Sequence, residues 1–411
     1  MFGLFKIIIA LAICSLANVI YAVDWNQYRG PDCNSISKEN LKDEVKEFKT
    51  LWKVTFNGGF SSFTVSGDKV FTLDKKSAQG ILREVCVALD ANSGKLIWSR
   101  EVGIAQYDYP YDASPYDGPR STPTIVDGKV YVLNARLGLF CLNAKSGEVI
   151  WQRDLVKEEN AVNISWQSAA SPLIVDGLVL LCCGSKDGSI LGIDKDSGKT
   201  IWKSGDFGMT HSTPTVAEIC DTKQIVFLTQ QGLVSVLPSN GKVIWQQSFP
   251  RAASMAASPV VSGDIVYCSA GYGVGSAAYK IQKSGEAWSA RELWRKPGNK
   301  FCNQWSTPLV IDGCLYGIFG FKQYKTAPLK CIEIATGNER WSQDGIGMGN
   351  LIYVNGRFLV LGDTGTLYLI APDKTEEKIK ALEGNCWSMP AYANGKIYLR
   401  SHKEGVCLKP L

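Results

Sequence analysis

Apolar and polar residues alternate in short bursts from about residue 50 to the C-terminus, each burst ending in a tight polar turn. The string "STPTIVDGKVYVL" (121–133) is one burst, and "ASPLIVDGLVLLC" (170–182), "ASPVVSGDIVYCS" (257–269), "STPLVIDGCLYGI" (306–318) and "SMPAYANGKIYLR" (388–400) repeat its plan. "STPTVAEICDTKQIVFL" (212–228) is a looser copy, while "SSFTVSGDKVFTL" (61–73) and "GNLIYVNGRFLVL" (349–361) lack only the proline. A period-two pattern rich in β-branched and aromatic residues, folded back at Asp-Gly or Asn-Gly, predicts hairpins. Helical periodicity is nearly absent.

A second string follows the first in most units: "NSGKLIW" to Trp98, "KSGEVIW" to Trp151, "DSGKTIW" to Trp202, "SNGKVIW" to Trp245 and "ATGNERW" to Trp341. The copy ending at Trp202 looks like a phosphate loop, which needs Gly, four residues and Gly-Lys-Ser/Thr. Here five residues separate Gly192 from Gly198, and the lysine becomes Glu148 and Asn338 in other copies. Only the glycine and the tryptophan persist. The string is therefore a turn with a glycine suited to positive φ, leading into a strand with a large inward side chain.

Together the two strings predict a four-stranded antiparallel meander, repeated with the period of propeller blades. Eight units start at Ser61, Ser121, Ala170, Ser212, Ala257, Ser306, Gly349 and Ser388. The last stops at Leu411, before a fourth strand, and "TLWKVTF" (50–56) carries Trp52 with no hairpin before it. Residues 50–56 are expected to complete the last blade, closing the ring and removing an exposed sheet edge. The fold predicted is all-β: one eight-bladed β-propeller over 50–411, after a lead segment at 23–49.

Composition changes this picture little. The 411 residues are 45% hydrophobic and 20% charged, ordinary for a globular chain, with a net charge of +5. Lys6 is the only charged residue among the first 22, so cleavage there leaves 5 − 1 = +4, too small and dispersed to argue for nucleic acid. "MFGLFKIIIALAICSLANVIYA" has one lysine, an apolar run from Ile7 to Leu16 and Ala22 at its end, and reads as a signal peptide over 1–22. The run is short for a membrane span, and Ile13 before Cys14 does not suit a lipid anchor. A soluble, monomeric export product, periplasmic or extracellular, is expected, with no transmembrane segment after cleavage.

"ALDANSGKLIW" (88–98) and "GIDKDSGKTIW" (192–202) resemble the tryptophan-docking repeat of the pyrroloquinoline-quinone-like (PQQ-like) propeller family: a small residue, Asp two later, Gly-Lys, then Trp. "CLNAKSGEVIW" (141–151) and "CIEIATGNERW" (331–341) keep the spacing with Asn143 and Glu333 in place of Asp. "WNQYRGP" (25–31) and "DGPRSTPTI" (117–125) are similar to exported bacterial members. The resemblance implies that Trp52, Trp98, Trp151, Trp202, Trp245, Trp294 and Trp341 pack against neighbouring blades. Cys141, Cys331 and Cys407 then fall at the small-residue position and are expected to be buried free thiols. Quinone-dependent alcohol dehydrogenases of this fold carry a disulfide between adjacent cysteines. Cys182 and Cys183 end a regular strand, where neighbouring side chains face opposite sides.

Subtracting those tryptophans leaves Trp25, Trp166, Trp288, Trp305 and Trp387. The residue three before each blade-opening proline forms a predicted ring at the mouth of the central channel: Phe60, Arg120, Ala169, His211, Ala256, Trp305, Met348 and Trp387. Arginine can pair with an anion and tryptophan can stack on a flat ring or a sugar face. Arg120, His211, Trp305 and Trp387, with Trp166 and Gln304 nearby, are the candidate ligand or peptide pocket. The competing reading is that these side chains plug the channel. The insertion "QYDYPYDASPYDGPR" (106–120) carries Tyr107, Tyr109, Tyr111 and Tyr116 and either offers a partner-binding surface or packs its tyrosines locally. Its aspartates do not match a known calcium loop.

The fold hosts quinone enzymes and assembly scaffolds alike. A non-catalytic scaffold, binding a protein, glycan or small molecule on its loop face, is the leading expectation. One eight-bladed relative is an outer-membrane assembly scaffold. The alternative is a quinoprotein dehydrogenase of an alcohol or sugar, using PQQ with calcium. That enzyme needs a calcium-holding Glu/Asn set and a catalytic aspartate, and no motif supplies them. No Cys-x-x-Cys-His haem motif is present, no metal cluster is indicated, and no carboxylate pair for glycan hydrolysis can be chosen.

Overall fold

The computed structural model describes residues 24–41, 45–107, 117–371 and 376–411. It holds eight antiparallel sheets of four strands each, one of them extended by a short fifth strand. Numbered in chain order, blades 1 to 8 begin with the innermost strands Thr64–Ser66, Thr124–Val126, Leu173–Val175, Thr215–Ile219, Val260–Ser262, Leu309–Ile311, Asn350–Val354 and Ala391–Ala393. Blade 8 is completed from the other end of the chain: Phe48–Thr55 pairs with Glu404–Pro410, placing Trp52 opposite Cys407. The ring is closed as the sequence implied. The single α-helix among the described residues is the short Leu155–Glu159.

Two rings of contacts explain why the repeat has the letters it has. The outer ring is made by the tryptophans. Nε1 of Trp52, Trp98, Trp151 and Trp202 donates to the carbonyl oxygens of Ala91, Ala144, Lys195 and Pro238, each in the following blade, at 3.0–3.1 Å. The turn glycine of that following blade lies under the indole. A Cβ on Gly94, Gly147 or Gly198 would meet Trp52, Trp98 or Trp151 at 2.7–2.8 Å, and each glycine has φ near +70°. Two independent requirements thus select glycine, which is why it survives where the lysine does not.

Across the sheet, each tryptophan faces the small residue of its own blade. Ala88 pairs with Trp98, Cys141 with Trp151, Gly192 with Trp202, Cys331 with Trp341 and Cys407 with Trp52. The cysteines serve here as compact apolar side chains; burial pushes the Cys141 and Cys331 thiols up to about 11. Every described cysteine is free, Cys182 and Cys183 included. Trp245 departs from the plan and donates to Gln224 Oε1 of its own blade. The next blade's outer hairpin is long, and its turn glycine, Gly285, has open space around it.

The inner ring is made by the hydroxyl residue before the proline. The Met389 N–H donates to Ser62 Oγ, Ser62 to Thr122 Oγ1, Thr122 to Ser171 Oγ and Ser171 to Thr213 Oγ1, at 2.8–3.1 Å. Ser258 donates likewise to Thr307 Oγ1. Neighbouring inner strands are too splayed to pair with one another. A side-chain hydroxyl fills the gap and satisfies a buried N–H that would otherwise be orphaned.

The lead segment passes through the middle of the ring. The Trp25 carbonyl accepts the Val65 N–H of blade 1, and Asn26 exchanges hydrogen bonds with Ile125 of blade 2. Arg29 Nη2 donates to Pro308 of blade 6, and Ile36–Ser37 adds in parallel to Tyr353–Val354 of blade 7. Glu39 accepts the Asn394 and Gly395 N–H groups of blade 8. Trp25, left over by the sequence reading, is a core residue at 2% exposure. The segment closes one end of the channel. Among the described residues the other end is open.

Candidate ligand site at the channel mouth

The loops that lead into the innermost strands converge on the open end and enclose a cavity of about 420 Å³. Arg120, Trp166, His211, Gln304, Trp305 and Trp387 all line it, as do Phe60, Ala169 and Ala256 from the expected ring. Met348 does not; it is fully buried in a core cluster, and Asn350 takes its place at the cavity. Blade 7 lacks the proline, and its inner strand starts one residue after Gly349 instead of three after the unit's first residue, so the lining position slips along the chain. Tyr28 of the lead segment also lines the cavity.

One wall is a continuous aromatic surface. Phe60 stacks on Trp387 at 4.5 Å, Trp387 lies 4.8 Å from Trp305, and Tyr324 packs on both at 6.1 and 6.4 Å. Trp166 and Tyr272, 6.4 Å apart, belong to a second arc, and Tyr272 contacts Phe321 at 4.7 Å. Lys322 sits over Tyr272 and Phe321 at 5.9 and 5.3 Å.

Arg120 and His211 hold the loop that carries Trp166. Arg120 Nη1 donates to the Trp166 carbonyl at 3.0 Å, and its Nη2 pairs with Asp117 at 2.6 Å. His211 Nε2 lies 2.9 Å from the Ser165 carbonyl, which can only accept, so the proton is on Nε2 and Nδ1 accepts from Ser254 Oγ at 3.1 Å. Both ring nitrogens are engaged. Burial first, and the nearby Arg120 charge after it, lower the His211 pKa to about 4. The imidazole is therefore neutral at pH 7 and is a brace. Arg120, expected to be open to an anion, already has its charge met by Asp117.

Tyr107 is half-buried and donates its O–H to Glu84 Oε1 at 2.6 Å, beneath the Arg120 guanidinium at 5.7 Å. It packs locally, the second of the two readings for that loop. Tyr109, Tyr111 and Tyr116 lie outside the described residues. Burial raises the Glu84 pKa to about 7.

Tyr28, Tyr272, Lys322, Tyr324 and Asn350 escaped the sequence reading. Tyr272, Lys322 and Tyr324 lie between second and third strands, where no repeat pattern marks them; Tyr28 belongs to the quoted "WNQYRGP" string. A larger space of about 880 Å³ lies beside the short helix, where Arg153 pairs with Glu158, Lys157 with Asp154, and Arg136 donates to Gln106.

The family described as outer membrane protein assembly factor BamB matches residues 46–165 and 83–316, a span covering more than half of the chain. The chain belongs to this family. A BamB of Moranella endobia is 24% identical over 74% of this chain and 72% of its own length. The BamB structure from Moraxella catarrhalis superposes with a TM-score of 0.61 at 13% identity, over 88% of this chain and 98% of that one. The quinohemoprotein alcohol dehydrogenase ADHIIG of Pseudomonas putida HK5 gives 0.63 at 14%, over 94% and 80%. At these identities the solved structures speak to the fold alone.

The dehydrogenase likeness raises the question of a calcium-held quinone. Calcium takes hard oxygen ligands, carboxylates above all. None of the described residues lining the mouth cavity is Asp or Glu, so nothing in that lining supplies the carboxylates that hold a calcium ion. The described lining does not fit that cofactor.

Proposed function

We propose that this chain is an exported, monomeric, non-catalytic propeller that acts as a binding scaffold, taking a protein partner on its loop face and a small ligand at the channel mouth. One observation carries the reading: the lead-in loops of most of the blades bring aromatic and hydrogen-bonding side chains to one cavity whose described lining has its one histidine held at both ring nitrogens and contains no carboxylate. Such a site can hold a molecule, and its described histidine, engaged at both ring nitrogens, is not free to move a proton. The names of the BamB relatives support the assembly and envelope part of the reading. No described helix is long and apolar enough to cross a membrane.

Pull-down from envelope extract tests it, with Trp305→Ala and Trp387→Ala beside the unaltered chain. Loss of captured partners in those variants is expected. Capture unchanged in both would overturn the role of the mouth. Dye reduction on adding the quinone and calcium would overturn the non-catalytic reading.

A further inference from the structure

We propose that the mouth cavity is a saccharide site, with Lys322 favouring sugars that carry a carboxylate; this rests on the reading of the mouth as a ligand site. The hydrogen-bonding groups at the cavity are of both kinds. The Ser62, Ser171 and Thr213 oxygens each accept a backbone N–H in the inner ring, which leaves each O–H to donate. Gln304 Oε1 and Asn350 Oδ1 are buried acceptors with no hydrogen-bond partner, on residues 8% and 3% exposed, and Trp305 Nε1 is a buried donor with none. Buried polar atoms normally have partners. A ligand that answers all of them must both donate and accept, as hydroxyl groups do. A flat polycarboxylate would leave Gln304 and Asn350 unmet.

Ring geometry points the same way. Trp305 and Trp387 are inclined by 40° and Trp166 and Tyr272 by 33°, while Phe60 and Tyr324 stack on Trp387 at 28° and 21°, so the cavity offers ring faces at several inclinations. A puckered sugar ring presents C–H faces at several inclinations and suits such walls. Trp166, Tyr272 and Lys322 also have φ of +64°, +58° and +54°. Bulky residues hold left-handed backbone only where surroundings impose it, and such positions cluster at ligand clamps. Lys322 is exposed at the rim and has no carboxylate within ion-pair distance among the described residues, and the lining contains none.

The full chain is titrated with neutral hexose oligosaccharides and with hexuronate oligosaccharides of two to six units, followed by tryptophan fluorescence and calorimetry. Saturable binding is expected, tighter for the hexuronates by about threefold at low salt, with the difference lost in Lys322→Gln and in high salt. Gln304→Ala and Asn350→Ala should each weaken both series by about tenfold. Trp288→Ala, on the outer strand of blade 5, serves as a control and should bind as the unaltered chain does. No saturable binding by either series overturns the saccharide assignment. Equal affinity for both series overturns the role of Lys322. Binding of naphthalene dicarboxylate in place of sugars overturns the assignment in favour of a flat anion. If sugars fail while envelope capture still depends on Trp305, the scaffold reading stands and this inference alone falls.

Discussion

Trp52 Nε1 donates to the Ala91 carbonyl at 3.1 Å, and the two residues belong to different blades, the last and the first. The seam where the ring could open lies inside blade 8, between Phe48–Thr55 and Glu404–Pro410, and this bond fixes the N-terminal strand of that seam to blade 1. The indole is 6% exposed and covers Gly94, so removing it deletes both a hydrogen bond and a large apolar contact. Trp52→Ala is expected to cost about 3–5 kcal/mol in urea unfolding. Gly94→Ala acts from the other side. Its Cβ would press on the Trp52 ring at 2.8 Å from a φ of +69°, and a loss of about 1–3 kcal/mol is expected.

The inner ring makes a separate prediction. Thr122 Oγ1 is the acceptor for the Ser62 N–H at 3.1 Å, and both residues are buried. Thr122→Val keeps the volume and removes the acceptor, so an N–H is orphaned at a cost of about 1–3 kcal/mol. Thr122→Ser keeps the hydroxyl and should recover most of it. Equal losses in the two variants would mean that the hydroxyl ring contributes nothing.

These two rings show what the sequence could and could not reveal. The turn glycine and tryptophan recur because each blade repeats the same contact with its neighbour, so the pattern was legible without coordinates. The Ser/Thr before proline was equally visible, yet its purpose was not, because its donor comes from the adjacent blade. At the mouth, the position three residues before the blade-opening proline does line the cavity in most blades, so its location was legible from spacing. Met348 was misplaced because the inner strand of blade 7 begins one residue into its unit instead of three, a shift the letters do not mark; blade 1 lacks the proline as well, yet Phe60 lines the cavity. Tyr272, Lys322 and Tyr324 lie in loops that no two blades share. Arg120 and His211 were recognised as unusual but not as braces, since their partners, the carbonyls of Trp166 and Ser165, have no signature in side-chain letters.

Glu84 and His211 give the protein two opposing responses to pH. Burial raises the Glu84 pKa to about 7 from 4.5, so between those values the folded chain holds a proton that the unfolded chain has lost. Stability from this group falls as pH rises through that window, by about 3 kcal/mol in all. His211 does the reverse. Its pKa falls to about 4 from 6.5, so the unfolded chain binds the extra proton and stability falls as pH drops from 6.5 to 4. The two slopes oppose each other where the windows overlap. Glu84→Gln should therefore show stability rising with pH between 4.5 and 6.5 relative to the unaltered chain, and His211→Asn should show it falling. Urea midpoints across that range measure both, and parallel profiles in all three proteins would contradict the assignment.

The bracing of Trp166 leads to the last prediction. Trp166 and Gln167 both have left-handed backbone, at φ +64° and +60°, a conformation that costs about 1–3 kcal/mol per residue unless its surroundings fix it. Arg120 reaches the loop from blade 2's lead-in segment and His211 from blade 4's, so the two braces grip adjacent carbonyls from opposite sides. If they act on one two-state loop, Arg120→Ala and His211→Ala will not add. The first removed should release the loop, and the second should cost little more. Amide exchange reports this directly, because the Gln167 and Ser168 N–H groups bond to the Ile164 and Ala135 carbonyls at 3.0 Å and depend on the loop's shape. Faster exchange at both amides is expected in either single variant, with little further change in the double variant. Independent, additive effects would mean that the braces serve separate ends, and that the position of the Trp166 indole over the cavity does not depend on their joint grip.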